Sequence, residues 1–346
     1  MKPQRIRLGD LSVGFVYSLE SALRERHIDP QPLLHAYGLD SARLADPHAR
    51  LSIPRYMRLG HAAIQLTGEP ALGLDMGRLR KAGHLGLVGI AATQAPTVRE
   101  AARTLIRFER LYASNYRGTS EFLEDAEGAW LRFYSISPYN QYNRFVVDTV
   151  LASWITQLCA VAAQPLQASS VMIEFDRPDY AARHDAFFGM QVAFGCEHNQ
   201  LRLDKASLAL RNPEHCPGAW QQLLELSETA LEQLTRTTSL SERVAQMLAQ
   251  MLKGQEPDLQ QIAQRLQLPA WTLRRRLTEE GSSYRTILND TRRDLAMSYI
   301  RDTELAFGEI AWLLGFSSAE AFQRAFKRWS GQTPGEFRRR QRRADT

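Results

Sequence analysis

Three features of the sequence predict a helix-rich α+β domain followed by an all-α domain. The chain has 346 residues, more than one hydrophobic core usually organises, so two domains are expected. Helical spacing of apolar residues dominates; short alternating runs appear only between about residues 120 and 204, and none follows Asp258. The charge is also unevenly placed. Residues 258–346 hold 16 Lys/Arg against 11 Asp/Glu, the whole net charge of +5, whereas residues 1–257 hold 27 of each. A basic excess confined to one domain suits a polyanion partner for that domain, and equally a solvated basic surface with no partner.

In chain order, residues 12–67 read mainly as helices, for example FVYSLESALRERHI (15–28), stopped by Asp29-Pro30. TVREAARTLIRFERLYA (97–113) reads as another, with Thr97 as N-cap and Glu100 completing a capping box. SEFLEDAEGAWLRFYSIS (120–137) predicts two strands joined by a turn near Asp125–Gly128, and an apolar helix through 140–163 follows. SSVMIEFD (169–176), QVAFG (191–195) and NQLRLD (199–204) are further strand candidates. Residues 218–253 return to helical patterning, and Gly254 with Glu256-Pro257-Asp258 marks a boundary.

Several function classes find little support. Cys159, Cys196 and Cys216 are too few and odd in number for a disulfide framework, which fits a reducing cytosol. The N-terminal apolar run lacks a small-residue cleavage site, so a signal peptide is not expected. Val146–Ala163 is long and apolar, but Asp148, Ser153, Thr156 and Gln157 interrupt it, so a buried helix is expected rather than a membrane span. GHLGLVG (83–89) lacks the preceding strand and the Lys-Ser/Thr pair of a phosphate loop, and is read as a closely packed helix start. Cys196, His198, His215 and Cys216 match no usual zinc spacing; a buried thiol with surface histidines is expected, and no metal or cofactor.

The C-terminal region carries two related units. In DLQQIAQRLQLPAWTLRRRLTEEG (258–281), Asp258 can cap a first helix whose Ile262, Ala263 and Leu266 share one face. Small Ala263 admits a crossing helix, Leu268-Pro269 makes the turn, and Leu273 and Leu277 anchor the second helix, which Gly281 closes. Trp271, Arg274 and Arg275 then point outward, an aromatic and two guanidinium groups that suit a major groove. Arg276 is ambiguous between Glu279, Glu280 and a phosphate. A connector helix is expected over 283–301. Residues 306–330 repeat the first unit: Ile310, Ala311 and Leu314 echo Ile262, Ala263 and Leu266, Gly315 permits the turn, and Phe322, Phe326 and Trp329 form a buried stripe. Glu320, Gln323, Arg324 and Lys327 lie away from that stripe.

Ile310-Ala311, Gly315-Phe316, Phe322-x-Arg324-x-Phe326-Lys327, Gly331-x-x-Pro334 and Phe337-Arg338 together resemble the signature of AraC/XylS transcription regulators. Leu273-x-Arg275, Arg293 and Leu295-Ala296 extend the match to about 90 residues. The resemblance implies two helix-turn-helix subdomains joined by one rigid helix, their recognition helices in adjacent major grooves of a bipartite promoter site. It implies base-reading roles for Trp271, Arg274, Arg275, Glu320, Gln323 and Arg324, with Arg324 and Lys327 equally candidates for phosphate contacts. The expected partners are double-stranded DNA, RNA polymerase, a small-molecule effector and a second copy of the chain, in the cytoplasm and without membrane contact, activation being one direction of control.

The expected division is a regulatory domain over 1–217, a helical linker suited to dimerisation over 218–257, and a DNA-binding domain over 258–346. Residues 83–112 resemble the subgroup with an α+β effector domain rather than a cupin barrel. Tyr134, Tyr139, Tyr142 and Trp154 are candidates for an apolar effector pocket, each with core packing as its alternative. An enzyme with a DNA-binding tail would need a catalytic set that is not legible. A non-specific nucleic-acid binder would spread its basic residues along the chain.

Overall fold

A computed structural model describes residues 9–115, 118–135, 139–236, 239–252, 254–303 and 305–344. The chain divides into two compact units, Asp10–Gln233 and Leu234–Thr346.

The first unit begins with β1 (Gly9–Ser12), α1 (Gly14–Glu25), α2 (Gln31–Ala36), α3 (Ser41–Ala45), β2 (Arg50–Ser52), α4 (Ile53–Thr67) and α5 (Leu72–Arg78). A 3-10 turn at Ala82–Leu85 leads to α6 (Gly86–Thr93), α7 (Val98–Arg107) and α8 (Glu109–Tyr112). Then come β3 (Ala113–Asn115), β4 (Glu121–Glu124), β5 (Gly128–Phe133), α9 (Arg144–Ala162), β6 (Ser170–Met172), α10 (Ala181–Phe188), β7 (Asn199–Asp204), α11 (Lys205–Ala209) and α12 (Pro217–Arg236). The strands form two small sheets, ordered β2-β1-β3 and β4-β5-β7-β6. The α+β, helix-rich character expected of this region is what the fold has. Alternation in β5 and β7 turns Ala129, Leu131, Leu201 and Leu203 to the core, and registers Leu131 against Leu201 in an antiparallel ladder.

Three local expectations need correction. The sheet of β1, β2 and β3 was not anticipated, because three or four residues are too few to display a period of two. Residues 191–195 form no strand and make only a bridge from Ala193 to Met172. Thr97 does cap α7, accepting from the Glu100 amide at 3.3 Å. The Glu100 carboxylate, however, turns to Arg103 at 2.9 Å instead of closing a capping box.

Helix α9 is the axis of this unit. It is long and apolar enough to cross a membrane, yet 78% of its most apolar window is buried inside the protein. Its polar side chains find partners there. Asp148 Oδ1 lies 2.8 Å from His184 Nε2, both side chains fully buried, and Tyr180 donates to Asp148 Oδ2 at 3.3 Å. Gln157 donates to the Arg80 carbonyl at 2.7 Å. Helix α5 crosses α9 through Gly73 and Gly77. A Cβ at Gly77 would stand 2.4 Å from Ala152 Cβ and 2.8 Å from the Ser153 nitrogen. Residues 83–89 pack as expected of a glycine-rich helix start, since a Cβ at Gly89 would meet the Ala82 carbonyl oxygen at 2.0 Å.

The second unit holds α13 (Leu240–Met251), α14 (Leu259–Arg265), α15 (Ala270–Glu279), α16 (Tyr284–Asp302), α17 (Phe307–Leu313), α18 (Ala319–Ser330) and α19 (Pro334–Ala344), with no strand among the described residues. Ser239 and Glu242 form a capping box on α13, and Asp258 and Gln261 form one on α14. The apolar face of α13 (Val244, Ala245, Leu248, Ala249) is buried within this unit, against α14, α15 and α16. α12 instead leaves Leu226 57% and Leu234 42% exposed.

Backbone at the α5–α9 crossing cannot yield as a flexible side chain could, so Gly77→Ala should cost about 1–3 kcal/mol by overpacking. Gly83→Ala, where a Cβ meets nothing within 4 Å, is the control. Urea denaturation of both checks this, and equal midpoints would refute it.

Candidate nucleic-acid interface and interior cavity

The amphipathic pattern of α15 sorts its residues into two faces. Thr272, Leu273 and Leu277 are buried, whereas Trp271 is 66% exposed and Arg274, Arg275 and Arg276 are exposed. Arg275 is held on the surface between two neighbours on its own helix. Its guanidinium lies 5.5 Å from the centre of the Trp271 ring, and its Nε is 3.4 Å from Glu279 Oε1. Such exposed contacts are weak enough to be exchanged for a ligand. Of the acids considered for Arg276, Glu279 faces Arg275, and Glu280 accepts from the Leu240 and Ser241 amides at 2.9 and 2.8 Å, fastening α15 to the start of α13.

Helix α18 has the same division. Phe322, Ala325 and Phe326 are buried, and Glu320, Gln323, Arg324 and Lys327 are exposed. Trp329, expected in the buried stripe, is only half-buried, with its ring 6.0 Å from Phe316. Ser318 caps the helix by accepting from the Ala321 amide at 3.2 Å. Glu320 sits in the first turn, where its own backbone amide, the Ser318 hydroxyl and then the Arg324 charge hold its carboxyl below the usual range. It is therefore an ionised acceptor. The structure brings Trp271, Arg274 and Arg275 together on one face, and Glu320, Gln323, Arg324 and Lys327 on another.

The turns before these helices are built differently. Gln267 adopts φ +53° between α14 and α15, a strained conformation for a side-chain-bearing residue. Gly315 takes the corresponding place before α18 at φ +68°, and a Cβ there would also press on the Gln255 carbonyl oxygen at 2.8 Å. Arg292 of α16 clasps this second turn. Its Nε donates to the Leu314 carbonyl and its Nη2 to the Gly315 carbonyl, each at 2.8 Å, while Nη1 pairs with Glu256 at 2.8 Å. Its guanidinium also covers the Phe316 ring at 4.8 Å. Arg338 does similar work for α16, donating to the Leu305 carbonyl at 2.6 Å and the Ile300 carbonyl at 3.3 Å.

The first unit encloses a cavity of about 50 Å³, walled by Leu11, Phe15, Ile53, Met57, Phe133 and Trp154 among others. Its polar lining includes Arg80, Glu109, Asn115, Ser135 and Ser153. Of the four aromatic residues expected at a pocket, Trp154 is in this wall and Tyr134, Tyr139 and Tyr142 are not. Tyr139 instead donates to Glu174 at 2.6 Å and accepts from Asn199, and Tyr142 lies against His61 with ring centres 4.3 Å apart. Beside the cavity, His84 is held neutral down to about pH 4 by burial and by the charges of Arg80 and Lys81. Neither Cys196 nor Cys216 is the buried thiol expected, Cys196 being half-buried and Cys216 exposed, and no cluster with the makings of a metal site occurs among the described residues.

Residues 28–212 match the family model described as the arabinose-binding domain of the AraC transcription regulator, N-terminal. That match covers more than half of the chain. The chain belongs to the AraC family of transcription regulators. Residues 262–340 match a helix-turn-helix domain model, the span that holds α15 and α18. The chain is 29% identical over 334 residues to the ornithine utilization regulator of Pseudomonas aeruginosa, covering 94% of this chain and 95% of that one. It is 25% identical over 318 residues to the transcriptional regulator VirS of Mycobacterium tuberculosis, covering 91% and 92%. The crystal structure of the regulator CdpR from Pseudomonas aeruginosa aligns with a TM-score of 0.47 at 22% identity, over 94% of this chain and 98% of that one. This member of the AraC family is a DNA-binding transcription regulator, not an enzyme.

Sequence reasoning passed over Arg292 in favour of its neighbour Arg293, which pairs locally with Asp290 at 2.8 Å and Asp294 at 3.0 Å. A usable signal was there: Arg292 lies on the stripe of Leu288, Leu295 and Tyr299, where an arginine is buried and needs acceptors. Arg292→Met should leave the Leu314 and Gly315 carbonyls without this donor and destabilise the second unit by about 2–4 kcal/mol, as for hydrogen bonds to a charged group. Denaturation of the full chain measures this, and a loss below 0.5 kcal/mol, roughly the size of an ordinary surface change, would show the clasp to be idle. A pH series tests His84. Its folded pKa of about 4 lies below its ordinary 6.5, so the unfolded chain binds the extra proton between those values. Its contribution to stability is complete above pH 6.5 and declines as the pH falls to 4. His84→Gln should flatten that part of the stability profile, and an unchanged slope would count against it.

Proposed function

We propose that this regulator reads a bipartite site on double-stranded DNA, with α15 and α18 in successive major grooves as two helix-turn-helix units on the connector α16. The observation that carries this reading is the pair of exposed faces, Trp271, Arg274 and Arg275 on α15 and Glu320, Gln323, Arg324 and Lys327 on α18, each backed by a buried apolar face. The nineteen residues of α16 span about 28 Å at 1.5 Å per residue, compatible with grooves one turn, or about 34 Å, apart once helix offsets are added. Arg275 is assigned to guanine, Glu320 to the amino group of cytosine, and Arg324 and Lys327 to bases or phosphates. In this reading residues 258–346 form the DNA-binding domain, 218–257 the linker, and 1–217 a regulatory domain that binds a small-molecule effector. The effector shifts the population of states able to engage both half-sites and RNA polymerase at a promoter in the cytoplasm. The exposed Leu226 and Leu234 of α12 support dimerisation through the linker.

Selection of bound duplexes from a random pool should return a site with two halves about one helical turn apart. Arg275→Ala should relax one half, with a loss of about 1–3 kcal/mol of discrimination. A pool that yields no motif, with affinity that collapses in salt, would reduce the second unit to an electrostatic anchor. Sedimentation of the full chain beside Leu226→Glu tests the dimer, which fails if the unsubstituted chain stays monomeric.

A further inference from the structure

Arg80 is in an unusual position for a cation. It is 4% exposed and lines the cavity, and it has no ion-pair partner among the described residues. Its Nε donates to Ser18 Oγ at 3.0 Å and its guanidinium lies 4.1 Å from the centre of the Phe15 ring. The Tyr56 hydroxyl lies close enough to interact with the guanidinium, but neither it nor Arg80 Nη2 has a partner of good hydrogen-bond geometry. A buried cation without an anion is among the most unfavourable arrangements a core can hold. Gln157 is held by the backbone carbonyl of Arg80 rather than by its side chain.

The rest of the wall narrows the missing partner. Apart from Arg80 the lining is mainly apolar, so the partner has an apolar body. Arg80 is the one basic residue in the lining, so a single negative charge balances it and a dianion would be left in excess. Glu109, the acid of the lining, is occupied through both oxygens, accepting from the Ser120 hydroxyl at 2.6 Å and the Ser120 amide at 2.9 Å. Burial raises its pKa, while the two hydrogen bonds from Ser120 work the other way and favour the carboxylate. A volume of about 50 Å³, at roughly 10–15 Å³ per water, holds about four waters, so the ligand is a short one.

Resting on the reading of this unit as a small-molecule sensor, we propose that its cavity binds a short apolar monocarboxylate, with the carboxylate on the Arg80 guanidinium and the hydrocarbon body against Phe15, Met57 and Trp154. Arg80 then sets the ligand's charge, and the apolar wall sets its size.

Calorimetry on the full chain with hexanoate and benzoate, against hexanamide, hexylamine and 6-aminohexanoate, tests this. Hexanoate should bind about ten- to hundredfold more tightly than hexanamide, the ratio expected of a charge-assisted hydrogen bond. Arg80→Met should remove that advantage. Val150→Phe, which adds bulk to the cavity wall and leaves Arg80 in place, should abolish binding of hexanoate. The comparison of acid with amide on the unsubstituted chain stands even if Arg80→Met does not fold. Equal binding of acid and amide, no saturation by either acid, or a preference for 6-aminohexanoate that Glu109→Gln removes would each overturn the assignment. Affinity for the selected duplex, measured with and without hexanoate, separates the two layers. Hexanoate that binds without changing DNA affinity would keep the ligand class and sink the sensor. Hexanoate that fails to bind would sink the ligand class and leave the sensor to a ligand of another charge.

Discussion

A largely buried helix leaves little surface on which a polar side chain is harmless, so Asp148 and Gln157 of α9 commit other parts of the chain to meet them. Asp148 draws in His184 of α10 and the hydroxyl of Tyr180, and Gln157 reaches the carbonyl of Arg80 just after α5. The close crossing by α5, which Gly73 and Gly77 allow, brings Asp75 into the same assembly. From α5, Asp75 takes Arg26 at 2.5 Å from the end of α1 and Arg183 at 3.4 Å from α10. The first unit is thus organised around an apolar helix by a few polar ties that are costly to break. The cavity lies against the same helix, whose Val146, Val150, Ser153 and Trp154 form part of its wall.

The second unit uses its charged residues in two opposite ways. Arg292 and Arg338 turn inward and donate to carbonyls at helix ends and turns. Arg274, Arg275, Arg324 and Lys327 are exposed, on helices whose other faces are anchored by Leu273, Leu277, Phe322 and Phe326. The inward arginines give the outward ones a rigid base. An exposed face keeps one orientation only if the turn that aims it is fixed, and Arg292 holds the Leu314 and Gly315 carbonyls in the turn between α17 and α18.

Local chemistry was the legible part. The caps at Thr97 and Asp258 act within three residues of themselves, and the spacings of Leu273 with Leu277 and of Phe322 with Phe326 fall on one helical face. Most of the longer helices and the hairpin of β4 and β5 could therefore be read directly, as could the outward faces of α15 and α18, whereas α5, α10, α11 and α19 were not read. Three local features escaped. β1, β2 and β3 are too short to show a period, residues 191–195 form a bridge rather than a strand, and Glu100 had a choice of partners, of which Arg103 won.

What escaped was the long-range pairing. Arg80 meets Ser18 across 62 positions and Arg292 meets Leu314 across 22, and no periodicity announces such meetings. Tyr134, Tyr139 and Tyr142 looked as suited to a pocket as Trp154, yet only Trp154 reaches the cavity. Composition and pattern state which residues prefer to be buried and which short-range bonds they form, so they carry the fold class, the family and the exposed faces of α15 and α18. Which buried group faces a void rather than a neighbour depends on how α9 packs against α5 and the two sheets, and only the folded chain settles that.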